Sequence, residues 1–273
     1  NFEFLLVIFS IISVNISLFF TVKCAAILFK NKSYCIWIIF LYTIFIALSP
    51  WIVIPYSDTY SIIFTVGALY FYLSRDKMNI YFSWFMIFIM SLLGYLIKPT
   101  CIIVLIAIII IKLWKILFSD KKILVKKLKV VPTILISICA FFIINMYAVN
   151  YVGYESNETL EFPMTHFLMM GMNSETKGVY FEEDVQFTKS IVGSENKKRA
   201  NLDVVRTRIE NYGFCGYLDL LMNKMLTNYN DGTFAWSVEG NFYSVTFEDS
   251  NNQMTQILRD IYYYDGQYYN AFA

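Results

Sequence analysis

The chain has 273 residues, of which 58% are hydrophobic and only 16% charged, and its formal net charge is +1. A soluble domain of this length does not need so much apolar surface, so the composition excludes an ordinary soluble protein. Residues 1–150 carry a net charge of +9 and residues 151–273 a net charge of −8. We therefore predict two domains in different compartments, a transmembrane helix bundle over 1–150 and an extracytoplasmic domain over 151–273.

Six apolar segments in the first half predict a polytopic, mostly α-helical membrane protein. Each segment is about 17–25 residues long, which is the length that crosses a bilayer. The predicted spans are 4–29, 34–50, 58–74, 79–97, 99–117 and 130–150.

Lysine and arginine in the short connections predict the orientation of the bundle. They concentrate after the first, third and fifth spans, and loops rich in these residues stay in the cytoplasm. The connections SPWIVIPYSDT and YLIKPT, and the chain after about Asn150, are therefore predicted to face outside. We expect a multi-pass protein of the cell membrane, in contact with membrane lipid.

The second half predicts an α-rich mixed region. Residues 201–229 carry an imperfect apolar stripe at helical spacing, which Gly213 and Gly216 interrupt. The strings DGTFAWSVEGNFYSV and YYYDGQYYN predict turns and short extended pieces that are rich in aromatic residues.

Asp58 and Lys98 are predicted to lie on the same side of the membrane, each at the outer end of a span. Ionised groups beside the apolar zone are costly and usually face a cavity or a partner. A lysine suits a lipid-linked phosphate, and a carboxylate can bind a sugar hydroxyl, bind a metal or act as a base. Tyr56 suits the membrane interface beside them. The other interpretation is that Lys98 only extends to the interface and that Asp58 caps a helix beginning at Thr59.

Four weaker binding candidates lie in the second half. One is the only histidine of the chain, and a lone histidine is more often structural than a ligand. The string DGTFAWSVEG combines a turn signal with a tryptophan that suits stacking on a sugar ring, although packing on the bundle is the favoured interpretation. The four residues are His166, Asp231, Trp236 and Glu239.

An acidic run and the absence of several sequence motifs bear on metal, nucleotide and nucleic-acid binding. Glu182, Glu183 and Asp184 predict a solvated face or a helix start, with a divalent-metal site as the minority interpretation. The sequence contains no P-loop, no dinucleotide fingerprint and no basic–aromatic face for nucleic acid. We therefore predict no metal ligand set, no certain cofactor and no nucleic-acid partner.

The residues around Asp58 and Lys98 resemble motifs of the GT-C-type polytopic membrane glycosyltransferases, which include protein O-mannosyltransferases and bacterial aminoarabinose transferases. PYSDTYSIIFTVGALYFYL is similar to the outer-face segment of that family, which ends in an aspartate that opens a span. GYLIKPTCIIVLIAIIII is similar to its G-x-x-x-x-T-K-G-like motif, with Lys98 at the lysine position. Ile97 and Pro99 stand where the family often has Thr and Gly.

Two strings further along the chain resemble a subset of these proteins from Firmicutes-type bacteria. The first is PMTHFLMMGMN, and the second is KMLTNYNDGTFAWSVEGNF, which has one residue fewer between Leu226 and Asp231 than the pattern of the subset. The resemblance covers most of the chain.

The resemblance implies a transferase on the outer face of the cell membrane. Its donor would be a sugar on a polyprenyl phosphate, and its acceptor a glycan, a lipid or a protein outside. It implies that Lys98 lies at the donor phosphate, with a divalent metal as an option there, and that Asp58 helps to build the sugar pocket. The sugar would be transferred by direct displacement, with inversion at the anomeric carbon.

The chain departs from the family pattern at the catalytic base. In the family this carboxylate lies in the first outer loop, whereas the loop KNKSY between the first two spans here is short and basic. We expect a fragment whose catalytic base lies upstream of Asn1 and which can be inactive alone. The alternative function is a non-enzymatic transporter or flippase component of cell-surface polymer export, in which Asp58 and Lys98 form a structural ion pair.

Overall fold

The computed structural model describes residues 2–29, 31–49, 52, 56–117, 130–153, 157, 161–228, 253–262 and 266–269. Every regular element in these ranges is helical, which confirms the mostly α-helical prediction. The chain divides into two compact units, here called the first unit (residues 1–152 and 235–272) and the second unit (residues 153–234 and 273). The domain that the sequence predicts over 151–273, and its place outside the membrane, stay predictions.

Helices occupy all six positions that the sequence predicts for spans. Three of them are long and apolar enough to cross a membrane, at Phe4–Leu28, Ile80–Ile97 and Val131–Val152. A helical membrane protein is therefore supported, whereas the number of six crossings stays a prediction. The helices are α1 (Phe2–Leu28), α2 (Lys32–Tyr42), α3 (Ser57–Ser74), α4 (Ile80–Ile97), α5 (Ile102–Leu117) and α6 (Val131–Val152).

Four further helices follow in the described part of the second half. α7 (Met164–Gly171), α8 (Glu182–Ser190) and α9 (Ser194–Asn228) belong to the second unit, and α10 (Gln253–Tyr262) is grouped with the first. The helix predicted within 201–229 is confirmed in α9, which is kinked at Gly213, where φ is +59°. α10 is not predicted from the sequence. The string DGTFAWSVEGNFYSV lies outside the described residues.

The first unit has an apolar interior and an apolar exterior. Along α6, Phe142 is 62% exposed and Tyr151 is 81% exposed. So much exposed apolar surface is unfavourable in water and suits a helix surrounded by lipid, in which all backbone hydrogen bonds are satisfied internally. The interior is a cluster contributed by α3, α4 and α5, namely Phe71, Tyr72, Ile87, Phe88, Leu105 and Ile108.

Small side chains allow α1 to lie close to its neighbours. Ser10, Ser13 and Ser17 of α1 are completely buried, and small residues allow close approach of helix backbones in membranes. Ser17 is hydrogen-bonded to the hydroxyl of Tyr42 in α2. Tyr60 of α3 donates a hydrogen bond of 3.3 Å to the backbone of α1. The first contact joins α1 to α2, and the second holds the first turn of α3 against α1.

Candidate functional site

The structure brings Asp58, Lys98 and Tyr56 together at one end of the first unit. Lys98 Nζ forms an ion pair with Asp58 Oδ1, although 40 residues separate them in the sequence. The same ammonium lies 6.0 Å from the centroid of the Tyr56 ring, at the limit of cation–π contact. The side chains of Lys98 and Asp58 are 30% and 47% exposed, so the pair is accessible to a ligand.

The beginning of α3 positions Asp58. The helix begins at Ser57, and Tyr56 occupies the N-cap with an extended backbone. Asp58 therefore lies in the first helical turn, where the exposed N–H groups of the helix end favour a carboxylate. The alternative prediction that Asp58 caps a helix beginning at Thr59 is wrong, because the helix begins two residues earlier.

The end of α4 positions Lys98. Pro99 disfavours a helical conformation for the residue before it, and Lys98 accordingly has φ −146° and ψ 117°. Its backbone N–H still donates a 2.8 Å hydrogen bond to the carbonyl of Gly94. The side chain thus leaves the helix end and reaches Asp58 rather than only extending to the interface.

Gly94 allows α3 and α4 to converge beside the pair. A Cβ atom at this position would lie 2.7 Å from Phe64 Cβ, closer than real contacts of this kind, and 3.0 Å from Cys101 Cβ, which is tighter than most of them. Cys101 is 1% exposed, and its Sγ lies 3.9 Å from the carbonyl oxygen of Ser61 in α3. The missing side chain of Gly94 therefore brings the two helix ends to the distance that the ion pair needs.

The weaker candidates fall in the second unit or outside the described residues. His166 is 2% exposed, and its Nδ1 lies 2.8 Å from Thr188 Oγ1. Thr188 in turn donates a 3.0 Å hydrogen bond to Asn201, so His166 is part of a buried polar chain. This environment favours a structural role, and a binding role stays a prediction. Asp231, Trp236 and Glu239 lie outside the described residues.

The acidic run begins α8, as predicted, but its last member is not solvated. Asp184 is 5% exposed and accepts two hydrogen bonds from Arg208, of 2.7 and 3.0 Å. The prediction of a solvated face is therefore wrong for Asp184, because this residue lies on the buried side of α8 together with Val185 and Thr188. Within the described ranges, no group of three His, Cys, Asp or Glu side chains is placed to hold a metal ion.

The pKa of His166 predicts a pH dependence of the second unit. Burial disfavours the imidazolium and lowers the pKa of His166 below its usual 6.5, and the nearby Asp184 opposes this shift. The histidine therefore binds a proton more readily in the unfolded state. Its contribution to the stability of the second unit is fully present above its usual pKa and is lost as the pH falls below that value. We expect amides of α7 and α8 to exchange hydrogen faster at about pH 5.5 than at about pH 7.5, after correction for intrinsic rates.

A matched variant separates this effect from that of the carboxylates. The pKa of Glu182 is lowered by hydrogen bonds from Tyr180 and then Gln186, so its stabilising contribution is lost only below its usual pKa of 4.5, outside this pH range. His166→Gln removes the imidazole and keeps a side-chain donor for Thr188. In this variant, the faster hydrogen exchange of α7 and α8 at low pH is expected to disappear. An unchanged pH response in this variant would show that a group other than His166 causes the effect.

The helices, the apolar exterior and the ion pair at the helix ends define a helical integral membrane protein. Residues 4–273 match the model of a family described as a conserved hypothetical integral membrane protein, and the chain belongs to that family. No curated protein and no solved structure matches the chain. The family description supports insertion in a membrane and names no reaction, substrate or orientation.

Proposed function

We propose that the chain is part of a GT-C-type membrane glycosyltransferase, which takes its sugar from a polyprenyl phosphate at the outer membrane face. The observation that supports this proposal best is the proximity of Lys98, Asp58 and Tyr56 at the ends of two apolar helices. A partly exposed ammonium and carboxylate beside an aromatic ring suit a ligand that combines a phosphate, hydroxyl groups and an apolar tail.

Each side chain has a distinct role in this proposal. The ammonium of Lys98 has three N–H donors, of which one meets Asp58 and the others are directed to phosphate oxygens. Asp58 accepts a hydrogen bond from a sugar hydroxyl, and Tyr56 packs against the ligand. The apolar exterior of the helices receives the polyprenyl chain.

The proposed reaction is a direct displacement at the anomeric carbon. The oxygen of the acceptor hydroxyl forms a bond to this carbon while the bond from the carbon to the phosphate oxygen breaks. The electron pair leaves with the polyprenyl phosphate, whose developing charge Lys98 stabilises. The hydroxyl proton passes to a carboxylate base other than Asp58.

Removing either charge of the pair tests the proposal. In the full-length protein, Lys98→Gln and Asp58→Asn are each expected to lower the transfer rate about 100-fold, the effect of losing a preorganised charge contact. The rate is measured in membrane vesicles as loss of radiolabelled sugar from added polyprenyl-phosphate sugars. Lys77→Gln, which removes an exposed charge elsewhere in the first unit, serves as the control. Wild-type rates in both pair variants, at equal protein level, would refute the site.

The ion pair itself supports a second candidate function. In a transporter or flippase component, Asp58 and Lys98 would serve only to join the ends of α3 and α4. The exchange variant Asp58→Lys with Lys98→Asp separates the two functions, because it preserves the pair and moves the ammonium. A variant that regains thermal stability but loses the sugar transfer measured in the wild type supports the transferase. Restored polymer export in the cell supports the structural pair.

A further inference from the structure

A second group of cations lies at the other end of α3, about 24 Å along the helix from Asp58. Arg75 follows the last residue of α3, and its Cζ lies 4.3 Å from the centroid of the Tyr72 ring. Lys112 of α5 brings its Nζ to 5.6 Å from the same ring and to 5.5 Å from the ring of Trp84. The two cations therefore lie within about 10 Å of each other, around one buried tyrosine.

The carboxylate that pairs with Arg75 compensates the charge of this guanidinium only weakly. Asp76 lies 3.6 Å away and its side chain is 78% exposed, whereas the side chain of Arg75 is 19% exposed. An exposed ion pair contributes little, because water screens it. A hydrogen bond of 2.5 Å from Arg75 to the carbonyl oxygen of Tyr72 holds the guanidinium in place. The guanidinium is therefore preorganised for an additional anion.

The surroundings indicate an anion that belongs to a membrane. Tryptophan and tyrosine are enriched where a membrane protein meets the head groups. Leu113 and Trp114, which follow Lys112 on α5, are 54% and 65% exposed and offer an apolar surface to acyl chains. The sequence after α5 adds further positive charges that attract anionic lipid, namely Lys121, Lys122, Lys126, Lys127 and Lys129.

We propose that Arg75 and Lys112 together bind the phosphate of one anionic phospholipid, with the rings of Tyr72 and Trp84 beside its head group. The site is independent of the Asp58–Lys98 pair and of the reaction proposed there. Its ligand is a structural lipid rather than a sugar donor.

Lipid binding to the purified full-length protein tests this site. In phosphatidylcholine nanodiscs, added phosphatidylglycerol is expected to bind saturably, as measured by native mass spectrometry and by a rise in the unfolding temperature. Arg75→Gln and Lys112→Gln are each expected to weaken this binding about fivefold, the effect of one basic residue at a lipid surface. Lys112→Arg keeps the charge and is expected to retain the binding.

The control is Lys77→Gln, which removes an exposed charge two residues from Arg75. It is expected to leave the binding unchanged, whereas an equal loss would indicate diffuse attraction and overturn the site. Displacement of the lipid by equimolar inorganic phosphate would overturn the assignment to a lipid, as would equal binding by wild type and both glutamine variants. If Lys112→Gln fails to fold without added lipid, Arg75→Gln decides alone.

Discussion

Arg208→Met is expected to destabilise the second unit by about 3 kcal/mol, the lower end of the range for breaking a buried ion pair. The variant leaves the carboxylate of Asp184 buried, since only 8% of that side chain is exposed. Asn173 still donates one hydrogen bond of 3.4 Å to it, but an amide does not neutralise the charge. The lower end applies because the side chain of Arg208 is itself 20% exposed. The measurement is hydrogen exchange of α8 and α9 in the full-length protein.

A neighbouring arginine provides the matched control for this prediction. Arg206 pairs with Glu210 at 2.8 Å on the surface of α9, with both side chains mostly exposed. Arg206→Met removes the same group from the same helix and is expected to leave the exchange rates nearly unchanged. The double variant Asp184→Leu with Arg208→Met removes both charges and is expected to be more stable than Arg208→Met. Equal destabilisation by the two single arginine variants would contradict the burial of the Asp184–Arg208 pair.

Gly94→Val is expected to destabilise the first unit by about 1–3 kcal/mol and to separate Lys98 from Asp58. The new Cβ meets Phe64 Cβ at 2.7 Å, and this atom cannot move away without its backbone. The helix ends must therefore part, which exposes the thiol of Cys101, now 1% accessible. Maleimide labelling of Cys101, followed by peptide mass spectrometry, is expected to be much faster in the variant than in the wild type.

Gly67 in α3 is the control for this substitution. A Cβ there would meet the rim of the Phe20 ring at 3.4 Å and Met90 Sδ at 3.6 Å, which are ordinary contacts with flexible side chains. Gly67→Ala is therefore expected to keep the wild-type labelling rate of Cys101, and Gly94→Ala to show part of the Gly94→Val effect. A slow labelling rate in all three variants would show that the close packing at Gly94 does not hold the site together.

The positions of the helices were largely predictable from the sequence. Long apolar runs can satisfy their backbone only as helices when they lie in a membrane, and all six predicted positions are helical. The predicted span 79–97 ends where α4 ends, and Pro99 gives the physical reason, since proline disfavours a helical conformation in the residue before it. The start of α3 was less predictable, because Asp58 is a good capping residue and yet Tyr56 occupies the N-cap.

The sequence by itself determined the class of protein, the approximate positions of the helices and the choice of Asp58 and Lys98 as a pair. Composition and segment length depend only on which residues follow each other, so no packing information is needed for them. Only the tertiary structure decided that Lys98 reaches Asp58 beside Tyr56, that Gly94 makes this approach feasible and that Asp184 is buried against Arg208. The Asp184–Arg208 and Asp58–Lys98 pairs join residues 24 and 40 positions apart, and side-chain partners at such separations depend on how the helices pack, which local sequence patterns do not encode.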